Sequence, residues 1–589
     1  MKRNARRLLC CLIAVLFVVT PLSSCAGDGP VTIAQNGSSA YLIVYENGNR
    51  DAANAAEYLA EELEYLTDAV LEVTDDRTEA DPAVPEIRVG RTNRGRDYSL
   101  QRTVRVGSYV IAREGQNIYI LGAGDGVLER ACEDFCYEVM DDDCRVSGTG
   151  ELLSTEPRYS VSAVTLNARP LTDYTVYLPE RAATHLKEGV ACLDEQLSAV
   201  SGFMLTTDTY TDASDVSGPA LVLMDNDALG EGEYKIEDKG GDVYHLSAGS
   251  EEAAMAMMIA LAGRLLNKNG ESVTMDLSAG GGKTGESPLV PYGDADVRVM
   301  CFNVFGNNEH KSLMPYVTAS AYAYAADFIC MQEFYEVAYN TVGKDLEKAG
   351  YKAVGTTFTE VSPTALEHKD TDDKYQKFAY VGSICYTPIY YRADIWEPVE
   401  SGAYLFYWMN RYHGSNTKSV AYGVFRNKTT GEEIAVFSTH YPLMAESYRS
   451  QNKDGRDYSA CTDKVDGAAW RSGATQEILK QVELLRAAYP GIPVVGGGDL
   501  NATATEASVR TLENHVLLTN ASVAAPEDMR NTGSSFHDYG KKPGTANNAI
   551  DHLFVSEDKI SVLRHRIVSD NLTVKGTDHC PVVIDIKLK

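Results

Sequence analysis

The stretch VVGGGDLNA, residues 494–502, decides the fold of the second half of this 589-residue chain. Two valines and three glycines form a short apolar run that ends in Asp499, Leu500 and Asn501. A run of this length is typical of a buried strand, and a rigid strand holds the side chains at its end in fixed positions. The stretch therefore predicts a central strand that carries a carboxylate and an amide at its tip.

Five other segments of the second half show the same pattern of an apolar run beside polar residues. They are VMCFNVFG (299–306), DFICMQEF (327–334), FSTHYP (437–442), IDHLFVS (550–556) and GTDHCPV (576–582). Their polar residues include Asn303, Glu333, His440, Asp551, Asp578 and His579. Because each of these lies near the end of a predicted strand, we expect them to line one cleft.

The residue types in this set suit the cleavage of a phosphoester. That reaction needs positive charge against the phosphoryl oxygens, a water nucleophile and a stabilised leaving oxygen. Magnesium prefers carboxylate oxygens, which Glu333, Asp499 and Asp578 supply. A histidine held by a carboxylate keeps one tautomer and gains basicity, and His440 and His579 are the candidates.

With these six motifs in this order, residues 296–589 resemble the endonuclease/exonuclease/phosphatase superfamily, the fold of deoxyribonuclease I, neutral sphingomyelinases and inositol polyphosphate phosphatases. The resemblance implies an α/β (α+β) fold, a four-layer α/β/β/α sandwich. It also implies hydrolysis of a phosphoester with Mg²⁺, or with Mn²⁺ or Ca²⁺ instead. In abasic-site endonucleases an aspartate follows the first asparagine by two residues, and Phe305 at that position counts against this subgroup.

The same resemblance implies roles for the metal-site residues. Glu333 is the main magnesium ligand, Asn303 orients metal-bound water or phosphate beside it, and Asp578 is a further carboxylate. Arg471 precedes a predicted helix marked by Ile478, and it either grips a phosphate or forms a surface ion pair.

The remaining motif residues receive catalytic roles from the resemblance. Asp499 orients the attacking water or assists a metal, and Asn501 contacts the phosphate oxygens. His579, held by Asp551, is a general base or phosphate activator. His440 stabilises the transition state or protonates the leaving group.

The first half predicts two tandem small α/β sandwich modules, residues 41–155 and 156–279. Strands and helices recur in the same order, and LTDAVL (66–71) matches VSGFML (200–205). Glycines and prolines in 280–295 predict a linker. The first copy resembles the non-catalytic N-terminal domain of α-glucuronidases, on the segments LEYLTDA, PEIRVGRT and YILGAGDG, which implies a domain that packs against a catalytic partner and has no activity of its own. A glycan is the partner expected for the two modules.

The N-terminus predicts export and a lipid anchor. Basic residues precede an apolar run too short to span a bilayer, as in a signal peptide. Leu22-Ser23-Ser24-Cys25 resembles a bacterial lipobox, which implies a signal peptide over 1–24, lipidation of Cys25 and attachment to the cell envelope. Residues 25–40 are then a linker. A plain secretory signal is the alternative.

The composition limits the class of substrate. The chain has 54 basic and 83 acidic residues and a net charge of −29, most of it in the first half, which disfavours nucleic acid. We therefore expect an exported phosphoesterase acting on a lipid-, inositol- or sugar-linked phosphate, anchored to the membrane through its lipid. The alternatives are a DNA endonuclease of the same fold and an inactive glycan-binding lipoprotein. No obligate protein partner is inferred.

Overall fold

The computed structural model describes residues 29–95, 104–124, 126–155, 159, 161–265, 272–275, 277, 280–283, 290, 292–360, 362–363, 382–406, 418–442, 467–531, 533–539, 541 and 549–589. The chain divides after residue 158 into two compact units. Among the described residues, every helix is too short or too polar to cross a bilayer. The predicted signal peptide (1–24) and Cys25 lie outside the described residues.

The first unit contains a six-stranded mixed sheet with helices packed on it and a separate two-stranded sheet of β1 and β7. Its strands and helices are β1 (Val31–Thr32), β2 (Leu42–Tyr45), α1 (Arg50–Thr67), β3 (Glu72–Asp75), β4 (Glu86–Val89), β5 (Tyr109–Glu114), β6 (Asn117–Gly122), α2 (Val127–Asp134), β7 (Arg145–Val146) and β8 (Gly150–Ser154). The side chain of Asn49 caps the start of α1 by accepting hydrogen bonds from two backbone amides. The apolar face of α1, with Leu59 and Leu63, packs on Ile43 and Ile87 of the sheet.

The second unit begins with a module of the same topology. Its elements are β9 (Ala163–Leu166), β10 (Arg169–Pro170), β11 (Thr175–Pro179), α3 (Thr184–Ser201), β12 (Thr206–Tyr210), β13 (Ala220–Asp225), β14 (Glu233–Gly240), β15 (Val243–Ala248), α4 (Glu251–Arg264), β16 (Ser272–Met275) and β17 (Gly280–Lys283). Its main sheet has the order β12-β11-β13-β15-β14-β17, and the first has the order β3-β2-β4-β6-β5-β8. The two orders correspond strand for strand, as an internal repeat requires. The likeness of the first copy to α-glucuronidase domains stays a prediction.

Two segments that the sequence assigns to linkers contain strands, so those assignments are wrong in part. Gly280–Lys283, from the predicted linker 280–295, pairs with β14 as the last strand of its sheet. Val31–Thr32, from the predicted linker 25–40, pairs with Arg145–Val146. Backbone hydrogen bonding to an available sheet edge overrides the weak strand preference of glycine.

The C-terminal domain is the expected four-layer sandwich. Its elements are β18 (Val297–Asn303), α5 (Met314–Tyr324), β19 (Phe328–Gln332), α6 (Glu336–Asn340), α7 (Val342–Lys348), β20 (Tyr351–Val354), β21 (Ile389–Arg392), β22 (Trp396–Leu405), β23 (Ser419–Asn427), β24 (Glu433–His440), α8 (Gly467–Ala488), β25 (Val494–Asp499), α9 (Ala507–Glu513), β26 (Thr519–Asn520), α10 (Ala521–Ala524), β27 (Asp551–Val555), β28 (Ile560–Ile567), α11 (Asn571–Gly576) and β29 (Val582–Leu588). One six-stranded sheet has the order β20-β21-β19-β18-β29-β28 and the other β22-β23-β24-β25-β27-β26.

Three apolar cores separate the layers of this domain. Side chains such as Val299, Val436 and Ile584 fill the space between the two sheets. Helix α8 packs its residues Ile478 and Val482 on the outer face of the second sheet. Helix α5 covers the outer face of the first sheet. The sheets therefore stand face to face and bring their strand ends to one edge.

The second module and the C-terminal domain share a core. Residues 253–263 of α4 are all buried, which is typical of a helix with protein on every side. Its side chain Met258 belongs to the same apolar cluster as Val317 of α5 and Leu572 of α11. The second module is therefore built into the layer that covers the first sheet.

The three glycines of VVGGGD have no room for a side chain. A Cβ atom on Gly496, Gly497 or Gly498 would collide with a carbonyl oxygen of a neighbouring strand, that of Phe437, His552 or Thr439 respectively. Backbone atoms cannot move aside as a flexible side chain can. The close approach of strands β24, β25 and β27 therefore depends on glycine at these positions.

Replacing Gly497 by alanine should destabilise the domain strongly. Overpacking usually costs about 1–3 kcal/mol, and we expect at least about 3 kcal/mol because the obstacle is backbone. Urea unfolding followed by fluorescence measures the change. Gly533→Ala is the control, since a Cβ there meets no atom within 4 Å. Equal stability of the two variants would contradict this account of the strand.

A buried ion pair joins the first and last strands of the C-terminal domain. Arg298 Nε donates to Asp585 Oδ1 at 2.6 Å, and Arg564 Nε donates to Asp585 Oδ2 at 2.7 Å. Burial raises the pKa of Asp585, but the charges and hydrogen bonds of the two arginines outweigh burial and hold this pKa below its usual range. Asp585 is therefore more acidic in the folded chain than in the unfolded one.

Replacing Asp585 by asparagine should lower the free energy of unfolding by about 3–5 kcal/mol at pH 7, because Arg298 stays buried without its counter-charge. A lowered folded pKa stabilises above the unfolded pKa of about 4, and this contribution is lost as the pH falls further. The difference in the free energy of unfolding between wild type and variant should therefore become smaller only below about pH 4. Urea unfolding at several pH values measures this difference. Asp558→Asn, at an exposed pair with Arg486, should cost less than about 1 kcal/mol. A difference in unfolding free energy that stays constant with pH would contradict the lowered pKa of Asp585.

Candidate active site

The predicted strand-end residues converge where the two sheets meet. Asn303 Nδ2, from the end of β18, donates to Asp499 Oδ2 at 3.0 Å, which links the first sheet to the second. His440 Nε2 lies 3.3 Å from Asp499 Oδ2 and 3.8 Å from Glu333 Oε1. His579 Nε2 lies 3.8 Å from Asp499 Oδ2. These side chains form one cluster around Asp499.

Strand pairing explains why these residues meet. His440 is the register partner of Asp499 between the parallel strands β24 and β25. On the other side Asp499 pairs with Asp551 of antiparallel β27. In the first sheet Asn303 pairs with Gln332, the residue before Glu333. The strand ends at Asn303, His440 and Asp499 and the strand start at Asp551 thus lie at matching levels of their sheets.

His579 is held by a carboxylate. Its Nδ1 donates to Asp551 Oδ2 at 2.8 Å, and the hydroxyl oxygen of Ser535 accepts from the backbone amide of Asp551. Burial lowers the pKa of His579, but the charges of Asp551 and Asp499 outweigh burial and raise it to about 10. The bond to Asp551 leaves Nε2 facing the cluster.

Asp499 is a buried carboxylate that stays ionised. Burial raises its pKa, yet the hydrogen bond and charge of His440, followed by the charge of His579, bring the pKa well below its usual range. Its Oδ1 also accepts the backbone amide of Asn501 at 2.8 Å. The negative charge at the centre of the cluster is therefore strongly stabilised by its surroundings.

Several residues of the cluster have left-handed backbone conformations. The φ angles are +41° at Phe305, +50° at Glu333 and +47° at Asn501. Such conformations cost about 1–3 kcal/mol for residues other than glycine and persist where the surroundings impose them. The side-chain Nδ2 of Asn501, for example, donates to the backbone carbonyl of Tyr441 at 2.9 Å. The fold thus imposes strain at the residues that the motifs single out.

A lysine that the sequence did not predict completes the cluster. Lys418 is buried, and its Nζ contacts His440 Nε2. Burial lowers the pKa of Lys418, while the charges of Glu333 and Asp499 oppose this effect. Lys418 precedes strand β23 and lies in none of the six motifs. In an antiparallel pair the start of one strand lies beside the end of its neighbour, and this signal could have identified it.

The donor set fits a hard divalent cation. Burial, together with the charges of Glu333 and Asp499, raises the pKa of Asp578, although His579 opposes this. One buried oxygen of Asp551 also has no hydrogen-bond partner among the described residues. Atoms of Asp499, Asp551 and His579 lie within 4.8 Å of one another, but the bond between Asp551 and His579 already occupies two of these ligands. Glu333, Asp578 and Asn303 as the residues that would hold a cation stay a prediction.

Among the described residues, Arg471 contacts Glu506 and no member of the cluster around Asp499. It lies inside helix α8, not before it as the sequence predicted. It is buried, and its Nη2 donates to Glu506 Oε2 at 2.6 Å. Arg471 therefore forms an ion pair, but a buried one and not the surface pair of the alternative, and its contact with phosphate stays a prediction.

Comparison with known proteins gives one family model that is similar to part of this chain. Residues 300–579 match the model of the Endonuclease/Exonuclease/phosphatase family. None of the curated proteins compared with this chain matches it significantly.

Many solved structures are similar to this chain, and these include the following three. An endonuclease/exonuclease/phosphatase from Bacteroides vulgatus is 19% identical, with 50% of this chain and 99% of that chain covered and a TM-score of 0.37. The human Nocturnin catalytic domain with bound sulfate is 16% identical, with 51% and 100% covered and a TM-score of 0.34. A mannosyl-6-phosphatase from Bacteroides thetaiotaomicron is 16% identical, with 49% and 99% covered and a TM-score of 0.36.

Proposed function

We propose that the C-terminal domain, which matches the model of the endonuclease/exonuclease/phosphatase family over residues 300–579, hydrolyses a phosphoester with a divalent cation. The observation that carries the proposal is the contact network around Asp499. The network also contains Asn303, Glu333, His440 and His579. The polar atoms of each contacting pair of side chains lie 3.8 Å or less apart. The proposed cation is Mg²⁺, with Mn²⁺ or Ca²⁺ as alternatives.

The side chains of the network have complementary tasks in this proposal. Asp499, which stays ionised, orients the attacking water. His579, fixed by Asp551, carries a proton at neutral pH and donates from Nε2 to a phosphoryl oxygen. Lys418 and His440 stand beside Glu333, where they stabilise negative charge on the leaving oxygen. When bound, the cation supplies positive charge against the phosphoryl oxygens.

A small polar phosphoester fits the surroundings better than a nucleic acid. A cleft of about 560 Å³ is lined by Asn307, Lys311, Tyr335 and Tyr386, among others. Tyr335 OH donates to Glu333 Oε2 at 3.2 Å, so the cleft adjoins the proposed cation site. Amides and aromatic rings suit a sugar or polyol group. The net charge of −29 opposes a polyanion.

Hydrolysis of p-nitrophenyl phosphate and bis-p-nitrophenyl phosphate tests the reaction class. We expect release of nitrophenol with Mg²⁺, its loss with EDTA and its return when Mg²⁺ is added in excess. A second panel of DNA, sphingomyelin, inositol phosphates and sugar phosphates then identifies the substrate. Activity that EDTA leaves unchanged would contradict the proposal, and activity on DNA alone would favour an endonuclease.

We also propose that the chain is exported and anchored by lipid on Cys25, on the strength of its lipobox-like segment. Two or more acyl chains hold a protein stably on a membrane. Expressed with its own N-terminus in a bacterium, the wild type should sediment with membranes, and Cys25→Ala should not. Equal sedimentation of both would contradict lipidation.

A further inference from the structure

One helix of the second module contacts both ends of α11. Glu188, in α3, accepts from Lys575 Nζ at 2.5 Å and from Tyr316 OH at 2.8 Å. One turn later Cys192 Sγ donates to Asp570 Oδ1 at 3.5 Å. Residues four apart lie on the same face of a helix. A single face of α3 therefore contacts the residue before α11 and a residue in its last turn.

Helix α11 depends on such contacts for its order. It has six residues, far fewer than a helix needs to be stable alone. Asp570 caps it by accepting from the backbone amide of Thr573 at 3.0 Å and from the hydroxyl of Thr573 at 2.7 Å. The thiol of Cys192 therefore donates to the same carboxylate that starts the helix.

The end of α11 leads directly into the candidate active site. Gly576 is the last residue of the helix, and Thr577, Asp578 and His579 follow. A Cβ on Gly576 would lie 3.0 Å from Tyr316 Cβ, so α11 sits close against α5. Thr577 Oγ1 donates to the backbone carbonyl of Asn303 at 3.0 Å. The position of His579 is therefore set by α11 on one side and by β18 on the other.

We propose that the second α/β module is a positioning element of the active site. Glu188 and Cys192 hold α11, and α11 fixes the place of Asp578 and His579. Neither Glu188 nor Cys192 touches the reacting atoms. The inference rests on the proposed function for its kinetic readout, but hydrogen exchange tests it separately.

Charge reversal in the full chain tests the proposal. Glu188→Lys places two like charges at the end of α11. Because a misplacement of about 1 Å can cost about 10²-fold in rate, we expect kcat to fall about 10-fold for this surface contact, with KM changed less than about twofold. Amide hydrogen exchange in residues 571–579 should become faster. The double variant Glu188→Lys/Lys575→Glu should recover most of both effects.

A matched control and a second variant keep the test decisive. Glu195→Lys makes the same charge change at an exposed position of α3 and should alter neither readout. If Glu188→Lys fails to fold, Cys192→Val removes the thiol donor at nearly constant volume and should show the same two changes. Unchanged kcat and exchange, or no recovery in the double variant, would overturn the proposal. Absence of hydrolysis by the wild type would refute the proposed function instead, and exchange would still decide this inference.

Discussion

Replacing Glu333 by glutamine is expected to lower phosphoester hydrolysis by about two orders of magnitude or more. The substitution keeps the size of the side chain and an oxygen for Tyr335 OH, so the fold should persist. It removes the negative charge that faces His440 and that we assign to the cation site. Since electrostatic groups at a reacting centre contribute about 10²–10³ in rate, the loss should appear in kcat. Initial rates at saturating Mg²⁺ measure it.

Glu432→Gln is the matched control for this variant. Glu432 is exposed and lies just before β24, whereas His440 ends that strand. Eight residues of strand at about 3.4 Å each separate the two ends of β24. The control should retain wild-type activity. Equal activity of both variants would remove Glu333 from the mechanism, and loss of activity in both would indicate a folding effect.

Replacing His579 by alanine should also reduce hydrolysis by about two orders of magnitude or more. Proton transfer by a positioned side chain typically contributes about 10²–10⁴ in rate. His579 is the cluster residue whose orientation is fixed by a carboxylate, Asp551. The alanine variant also leaves Asp551 without its partner, so thermal unfolding should accompany the rate measurement.

The control variant for His579→Ala is His515→Ala. His515 lies between α9 and the edge strand β26, and its ring accepts a hydrogen bond from a backbone amide two residues later. This variant should keep its activity. If His579→Ala hydrolyses as fast as the wild type at equal purity, the activity belongs to a contaminant or to another site.

The sheets of the C-terminal domain were predictable because apolar runs stop at polar residues. Val297–Phe302 and Val494–Val495 are such runs, and both begin strands of the structure. The strand at Gly280–Lys283 was not predictable, because its residues have no strand preference and pair only where β14 offers an edge. Local pattern therefore indicates central strands better than edge strands.

The membership of the cluster was largely predictable, but its full extent was not. Asn303, Glu333, Asp499 and His579 each follow or precede a strand in the sequence, and they meet in the structure. Lys418 joins them only through the antiparallel pairing of β23 with β24, which no local pattern indicates. The roles of the cluster residues stay predictions until variants are assayed.

The shared core between α4 and α5 has a practical consequence for anyone who wishes to express the C-terminal domain by itself. A fragment starting near residue 290 would leave Val317, Ala321 and Leu572 facing water instead of Met258 and its neighbours. Such a truncated product is expected to aggregate. A fragment starting at Tyr159 is longer, but it keeps that apolar surface covered.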